Sequence, residues 1–254
     1  RLMSDLEKNK RHSTAVITDL RNFSKTFKDY QNSGDERFME FIEEYYFTIN
    51  SLATTISEKV WMHSIGDGIL AIFLDKDDHD KKGYAYILAA HKALNNLCRK
   101  FVEENPGTHI SFGIGADSGN VWKVGKGYLN TYVGTVINRA ARIEALTKGF
   151  GKATTAVGDS LYKSLLKEFY PSVLELIEES EDYDTLLDES PEAVLISKKF
   201  MLQYAYDIPL KGIQVNAPIF RLSDSLAKNE KTFWSVMKKL VGEEKKEKIK
   251  SIIE

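Results

Sequence analysis

The chain has 254 residues, of which 43% are hydrophobic and 28% are charged, and this length fits one large domain. Its formal net charge of −2 argues against binding nucleic acid mainly through phosphates, because such proteins carry a basic bias. Cys98 is the single cysteine, which excludes an intramolecular disulfide and a Cys-rich zinc site. No apolar run approaches the roughly 20 residues that span a bilayer. We therefore expect a soluble, cytoplasmic protein with no membrane or nucleic-acid partner.

The first part of the chain predicts a strand followed by a helix. Residues 1–12 are polar and basic and are expected to form a lead-in segment. Residues 13–20 (STAVITDL) are β-branched and apolar except for Asp19, which is typical of a buried strand. Between about residues 35 and 57, apolar residues recur at spacings of three and four, which predicts an amphipathic helix.

Two hairpins are predicted on either side of a second helix. Residues 59–73 have β-forming residues on both sides of the GDG triplet at 66–68, and glycine tolerates the backbone angles of tight hairpin turns. Residues 84–104 predict an amphipathic helix that ends at the NPG triplet at 105–107. The segments HISFGIGADSG and NVWKVG, which follow, are expected to form the second hairpin.

The second half of the chain completes an α+β pattern. YLNTYV predicts a strand, residues 137–148 an alanine-rich helix, and ATTAVGDS a strand with a helix N-cap at Asp159 or Ser160. The acidic stretch 171–205 is expected to be a partly flexible insertion, and YDIPLKG and APIFRLS are the last core strands. Residues 223–254 predict a charged, exposed helical tail. Together these elements predict a largely antiparallel sheet with helices on one face.

Two aspartates stand where metal ligands are expected. Asp19 lies at the end of an apolar strand, where a carboxylate has no structural reason to be, and Asp67 lies at a hairpin tip between two glycines. Mg²⁺ prefers oxygen ligands, and two metal ions commonly clamp the attacking and leaving oxygens of an in-line phosphoryl displacement. For either residue alone, a helix cap or an ordinary turn residue is the simpler interpretation.

Two further features are suited to the rest of a nucleotide. The turn from Leu20 to Ser24 is expected to present free backbone N–H groups at the start of a helix, as a cradle for a triphosphate. Asn138 and Arg142 are four residues apart and share one helix face. There an arginine could stabilise charge on a transferring phosphate while the amide orients the ribose. A generic loop and an incidental surface arginine are the alternative interpretations.

Four motifs occur in an order and spacing that resemble the class III nucleotidyl cyclases. They are TDLRNFS at 18–24, SIGDGILAIF at 64–73, GIGADSGNV at 113–121 and TYVGTVINRAARIEALTK at 131–148. PLKGIQVNAPIFRL at 209–222 is similar to the closing strands of that family. The resemblance covers residues 13–222 apart from the acidic insertion, which makes 13–222 the expected cyclase domain.

The resemblance implies a ferredoxin-like, palm-type cyclase fold and a definite chemistry. A nucleoside triphosphate would be converted to a 3′,5′-cyclic monophosphate and pyrophosphate, with two divalent ions, Mg²⁺ or Mn²⁺, as cofactors. The implied metal ligands are Asp19, Asp67 and the carbonyl of Leu20, and the implied catalytic residues are Asn138 and Arg142. The implied substrate-binding residues are Leu20, Arg21, Asn22, Phe23, Ser24, His63 and Thr131.

The resemblance also implies a homodimer. In this family the metal-binding aspartates come from one subunit and the helix with the Asn–Arg pair comes from the other. Activity therefore requires two chains, and a homodimer has two symmetric sites that are shared across the interface.

The positions that read the base depart from the family's pattern. His63 stands where family members that use ATP usually carry Lys and where guanylate cyclases typically carry Glu. Thr131, seven residues before Asn138, stands where many adenylate cyclases carry Asp and others Thr. Neutral His and Thr can both donate and accept hydrogen bonds, so this pair does not dictate adenine. An ordinary adenylate cyclase that tolerates His63 is the alternative.

With these altered positions the chain resembles the bacterial pyrimidine cyclases of anti-phage defence, which make cyclic CMP or cyclic UMP for an effector protein. This interpretation is favoured over adenylate cyclase, and His63 and Thr131 do not separate UTP from CTP. A smaller base needs a filled pocket, for which Trp61, Tyr45 and Tyr46 are candidates, although such residues more often belong to the core. A downstream effector that binds a cyclic nucleotide is the expected partner.

Two other protein classes fit the sequence less well. A catalytically silent, cyclase-like binding module would be expected to lose the metal-binding aspartates or the Asn–Arg pair, and both pairs are present. A diguanylate-type or polymerase-palm protein would carry a GG[DE]EF-like hairpin where this chain has SIGDGIL.

Overall fold

The structure is a computed structural model that describes residues 7–125, 130–151, 154–179, 191, 199–209 and 216–254. Half of the expected lead-in, much of the acidic stretch and the LKGIQV segment of the closing strands lie outside the described residues.

The described part of the chain forms eight strands and nine helices. The strands are β1 (Lys10–Arg21), β2 (Val60–Ile65), β3 (Gly68–Phe73), β4 (Ser111–Val124), β5 (Thr131–Val133), β6 (Thr154–Gly158), β7 (Leu202–Pro209) and β8 (Asn216–Leu222). The helices are α1 (Phe23–Ser33), α2 (Arg37–Ile56), α3 (His79–Glu104), α4 (Thr135–Thr147), α5 (Asp159–Phe169), α6 (Pro171–Glu179), α7 (Asp224–Ala227), α8 (Glu230–Val241) and α9 (Glu243–Ile253).

All eight strands belong to one sheet. Its order is β2-β3-β1-β4-β6-β8-β7, and β5 pairs with β4 away from this path. Neighbouring strands are antiparallel except for β4 and β6, which are parallel. The expected α+β fold with a largely antiparallel sheet is confirmed. The central position of β1 places Asp19 in the middle of the sheet rather than at its edge.

The main hydrophobic core lies on one face of the sheet. Side chains alternate along β1, so Val16 and Leu20 enter this core while Ala15 packs on the opposite face. Helices α2 and α3 supply most of the large core residues, including Tyr45 and Phe38. The buried face of α2 is the apolar stripe that the sequence predicts.

Helix α4 crosses the opposite face of the sheet, directly above β4. A Cβ atom at Gly115 of β4 would overlap the amide nitrogen of Glu144 and the carbonyl oxygen of Ala140. Only glycine therefore allows the helix to approach the strand this closely. The apolar side of α4, with Val136 and Ala140, packs against Val121 of β4.

The C-terminal tail is part of the core, contrary to the prediction of an exposed helix. It forms α8 and α9, which are rich in Lys and Glu but each have an apolar face that packs into the core. The buried residues of these two helices are Phe233, Val236, Met237, Leu240, Ile249 and Ile253. Lys245 Nζ donates a 2.9 Å hydrogen bond to the carbonyl oxygen of Ile56, at the end of α2. A positive charge at this position is favoured by the helix dipole.

Three other local predictions were wrong. Residues 111–124 form the single strand β4 rather than a hairpin, because Gly119 provides room for Val136 and Arg139 instead of a turn. Helix α5 is capped at Gly158, one residue before the predicted positions. Strand β1 begins at Lys10 rather than at residue 13. The helix that was expected to start after the turn at Leu20–Ser24 is present as α1.

No helix within the described part of the chain is long and apolar enough to cross a membrane.

Replacing Gly115 with alanine is expected to lower the melting temperature and displace α4. The added methyl group overlaps the backbone of the helix, which cannot yield like a flexible side chain. Overpacking of this kind costs about 1–3 kcal/mol in the free energy of unfolding. Gly149→Ala is the control, because its added Cβ would make an ordinary 3.5 Å contact with the Leu146 carbonyl. Equal melting temperatures for the two variants, measured by calorimetry, would contradict the close packing of α4.

Candidate active site

The register of two central strands brings Asp19 beside the hairpin that carries Asp67. Thr18 of β1 pairs with Ile69 of β3, so Asp19 is level with Gly68, the residue that follows Asp67. A Cβ atom at Gly68 would lie 3.5 Å from Asp19 Oδ1. The structure therefore brings the two predicted metal ligands together from positions 48 residues apart in the sequence.

Electrostatics at this end of the sheet favour a cation. Burial raises the pKa of the Asp19 carboxyl, and the negative charge of Asp67 raises it further, while Lys148 and Arg21 act in the opposite direction. Burial also raises the pKa of Asp67, against the nearby charge of Lys148. The two carboxylates thus carry more negative charge than their surroundings compensate.

The donor set fits Mg²⁺ or Mn²⁺ that is partly coordinated by substrate. Among the described residues, no cluster of three or more His, Cys, Asp and Glu side chains could hold a metal ion. Mg²⁺ is usually held by one or two carboxylates together with substrate phosphates and water, rather than by a cage of protein ligands. Asp19 and Asp67 would hold the ions, with the main-chain carbonyl of Leu20 as a further oxygen ligand.

The predicted phosphate cradle is the N-terminus of α1. Asn22 takes a left-handed conformation (φ 63°) between β1 and α1, and no side chain caps the helix. The first-turn N–H groups of a helix have no intrahelical partner, so those of Phe23 and Ser24 are suited to an anion. The ring of Phe23 packs on the core beside Phe38, which fixes the start of the helix.

The side chain of Arg21 is engaged within its own chain. Its guanidinium donates to the carbonyl oxygen of Gly151 and, at 2.5 Å, to Thr147 Oγ1 at the end of α4. Arg21 therefore links the end of β1 that carries Asp19 to α4.

Asn138 and Arg142 lie on the side of α4 that faces away from the sheet. Asn138 is exposed and Arg142 is half-buried, and neither side chain has a hydrogen bond or ion pair with another described residue. The cations that act on Asp19 are Lys148 and Arg21 rather than Arg142. Within one chain, the structure does not bring the Asn–Arg pair to the two aspartates.

Aromatic residues connect the two predicted base-reading residues, His63 and Thr131. The Trp61 ring stacks on His63, with centroids 5.6 Å apart and planes inclined by 11°. Trp61 also contacts Tyr132 edge to face, with centroids 5.4 Å apart, and Tyr132 follows Thr131 in the chain. Both His63 and Thr131 are exposed.

The other two candidates for filling the base pocket, Tyr45 and Tyr46, lie elsewhere. Their hydroxyl groups donate to the carbonyl oxygens of Asp67 and Gly66, respectively, in the turn between β2 and β3.

Solved structures with this architecture are nucleotide cyclases. The adenylyl cyclase CyaB from P. aeruginosa matches with a TM-score of 0.61 and 15% identity over 85% of this chain and 95% of that one. The guanylyl cyclase Cya2 matches with a TM-score of 0.57 and 17% identity over 84% and 92%. The guanylate cyclase domain of RhGC from Catenaria anguillulae, in complex with GTP, matches with a TM-score of 0.56 and 18% identity over 84% and 97%.

The chain has the nucleotidyl cyclase fold. Comparison with protein-family models and with curated protein sequences gave no match. At these low identities the structural likeness establishes the cyclase fold, and the chemistry has to be argued from the residues themselves.

Sequence reasoning missed Glu144, a buried carboxylate of α4 that lies close enough to Asp19 and Asp67 for their charges to interact. Glu144 is buried, and its Oε1 atom has no hydrogen-bond partner among the described residues. Burial raises the pKa of its carboxyl, and the charge of Asp19 adds to this, whereas Lys148 and Arg21 oppose it. The available signal was its place in the buried stripe of α4, between Ala140 and Thr147, where a charged residue is unusual.

A second missed residue, Asp117, fixes α4 on the sheet of the cyclase fold. It is buried and accepts hydrogen bonds from Arg139 Nε at 2.6 Å, from its neighbour Ser118 N at 2.9 Å and from Leu161 N at 3.1 Å. Arg139 also donates to the Ser118 carbonyl at 2.7 Å. The ion pair sets the position of α4 and therefore of Asn138.

Replacing Asp117 with alanine is expected to destabilise the protein strongly. The change leaves the Arg139 guanidinium and two backbone N–H groups without their acceptor, and breaking a buried ion pair costs about 3–5 kcal/mol. Chemical denaturation measures the loss. Lys238→Ala breaks an exposed pair with Glu243 and serves as the control, with little expected change. A loss for Asp117→Ala no larger than for Lys238→Ala would show that the ion pair does not fix α4.

Proposed function

We propose that this chain is a nucleotidyl cyclase, which converts a nucleoside triphosphate to a 3′,5′-cyclic monophosphate and pyrophosphate. The observation that carries the proposal is the meeting of Asp19 and Asp67 beside the uncapped N-terminus of α1, on a cyclase fold. This end of the sheet offers carboxylates for divalent ions next to free N–H groups for phosphates.

Each residue of the site has a separate task in this reaction. Asp19, Asp67 and the carbonyl of Leu20 hold two divalent ions, Mg²⁺ or Mn²⁺, which supply Lewis acidity to the ribose 3′-hydroxyl and the triphosphate. The N–H groups at the start of α1 bind the outer phosphates. Asn138 orients the ribose, and Arg142 stabilises the charge that develops on the α-phosphate. The 3′-oxygen loses its proton to solvent and bonds to the α-phosphorus, while the bond from that phosphorus to the α–β bridging oxygen breaks and pyrophosphate leaves.

The active enzyme in this proposal is a homodimer with two shared sites. In one chain Asn138 and Arg142 face away from the sheet and have no partner among the described residues, so they are available to a second copy. The sheet also exposes apolar side chains near the site: Ile65 is 67% exposed and Val133 is 47% exposed.

A pyrimidine base fits the base-reading positions best. Trp61 stacks on His63 and contacts Tyr132, so indole and phenol rings occupy space beside both His63 and Thr131. We infer that these rings narrow the base site, which suits the single ring of uracil or cytosine. The product would then be cyclic UMP or cyclic CMP, acting as a messenger in anti-phage defence on an effector that binds it. The alternative is an adenylate cyclase in which His63 is a tolerated substitute for lysine.

Incubation of the purified protein with each nucleoside triphosphate and Mg²⁺ or Mn²⁺ tests the substrate. We expect cyclic UMP or cyclic CMP as the main product, identified by mass spectrometry, because aromatic rings narrow the base site. Cyclic AMP as the dominant product would overturn the pyrimidine assignment and leave the cyclase assignment intact. No cyclic product with any of the four triphosphates would overturn both.

Asp19→Ala, Asp67→Ala and Arg142→Ala are each expected to abolish turnover while the protein stays folded. Losing a group that acts in the transition state typically costs at least about a hundredfold in kcat. Mixing Asp19→Ala with Arg142→Ala should restore activity, because the mixed dimer has one intact site. Dimer formation is checked by light scattering. If stable mixed dimers do not recover cyclase activity, the shared-site arrangement is wrong.

A further inference from the structure

The hairpin that carries Asp67 is held by two consecutive tyrosines of α2. Tyr45 Oη donates a 3.0 Å hydrogen bond to the carbonyl oxygen of Asp67, and Tyr46 Oη donates to that of Gly66. The side chain of Tyr45 is fully buried, and the two phenol rings meet edge to face at 5.2 Å. One helix thus fixes both residues of the turn through their main chain.

This turn needs support because of its place in the fold. It joins β2 and β3, and β2 is the outermost strand on that side of the sheet. Ser64, Ile65 and Gly66 are exposed, and Gly66 has a positive φ of 62°, which few residues other than glycine adopt readily. A hairpin tip at a sheet edge has few packing contacts of its own, so hydrogen bonds from the core restrict it most.

The helix that carries the tyrosines is itself firmly anchored. Helix α2 is buried along one side, from Phe38 to Ile56, against α3 and the sheet. Its C-terminal end receives the hydrogen bond from Lys245 of α9. The tyrosine hydroxyl groups therefore project from a rigid support.

We propose that Tyr45 and Tyr46 are positioning residues of the metal site, which hold the Gly66–Asp67 main chain so that the Asp67 carboxylate stays beside Asp19. The proposal rests on the proposed function for its catalytic consequence. Metal ligands have to be held within about 0.5 Å of the productive geometry, and a mobile hairpin would not do this. The role needs only the hydroxyl groups, since the rings are already accommodated by the core.

Tyr45→Phe tests the proposal with Tyr84→Phe as its matched control. Tyr84 is also fully buried, and its hydroxyl also donates to a backbone carbonyl, that of Phe200, far from the hairpin in the chain. Both variants lose one buried hydrogen bond and should show similar decreases in melting temperature. Only Tyr45→Phe should raise the Mg²⁺ concentration for half-maximal turnover, by about tenfold, which corresponds to one lost hydrogen bond. The KM for the triphosphate at saturating Mg²⁺ should stay within about twofold, as expected when only metal geometry is affected.

Amide hydrogen exchange provides a second readout that does not depend on catalysis. Residues 64–68 should exchange faster in Tyr45→Phe than in the unmodified protein, and at an unchanged rate in Tyr84→Phe. If the unmodified protein makes no cyclic nucleotide, the proposed function fails, and the exchange rates still decide whether the tyrosines hold the hairpin. Should Tyr45→Phe not fold, Tyr46→Phe, at a half-buried position, takes its place in both measurements. Equal exchange at 64–68 and equal Mg²⁺ dependence in the Tyr45 (or Tyr46) and Tyr84 variants would overturn the proposal.

Discussion

The burial of two neighbouring carboxylates is the constraint on which this structure depends. Asp19 and Asp67 are both partly buried at one end of the sheet, where burial and proximity raise the pKa of Asp19. Left to themselves, such groups would move apart or take up protons. The central position of β1, the register of β1 with β3 and the hydrogen bonds from α2 keep them together. The scaffold therefore keeps two partly buried carboxylates beside each other, at an energetic cost that a bound cation would reduce.

The two sides of helix α4 have different relations to this pair of aspartates. On its inner side, Thr147 accepts a hydrogen bond from Arg21. The buried carboxylate of Glu144, on the same side, lies close enough to Asp19 for their charges to interact. Its outer side carries Asn138 and Arg142, which are free of partners among the described residues. One rigid helix thus connects the site built by its own chain to the site it would complete in a second copy.

The sequence predicted what depends on local pattern and missed what depends on long-range contact. The apolar period of α2, the β2–β3 hairpin and the fold class are visible in residue order because each follows from local alternation. The same reasoning misplaced a turn in β4, since a glycine pattern does not reveal whether it provides a turn or room for a helix. Glu144 and Asp117 were missed because their structural roles depend on residues that are distant in the sequence. The C-terminal tail was misjudged because many Lys and Glu residues surround a narrow apolar stripe.

The contact between the final helix and α2 has a consequence for the order of folding. Lys245 and Ile56 are 189 residues apart in the chain, and the apolar sides of α8 and α9 complete the core around α2 and α3. During synthesis, at about 5–20 residues per second, the N-terminal half emerges long before the helices that cover it. The helix that carries Tyr45 and Tyr46 thus keeps an uncovered apolar flank until residues 243–253 leave the ribosome. Stable support of the hairpin between β2 and β3 is therefore one of the last features of the fold to form.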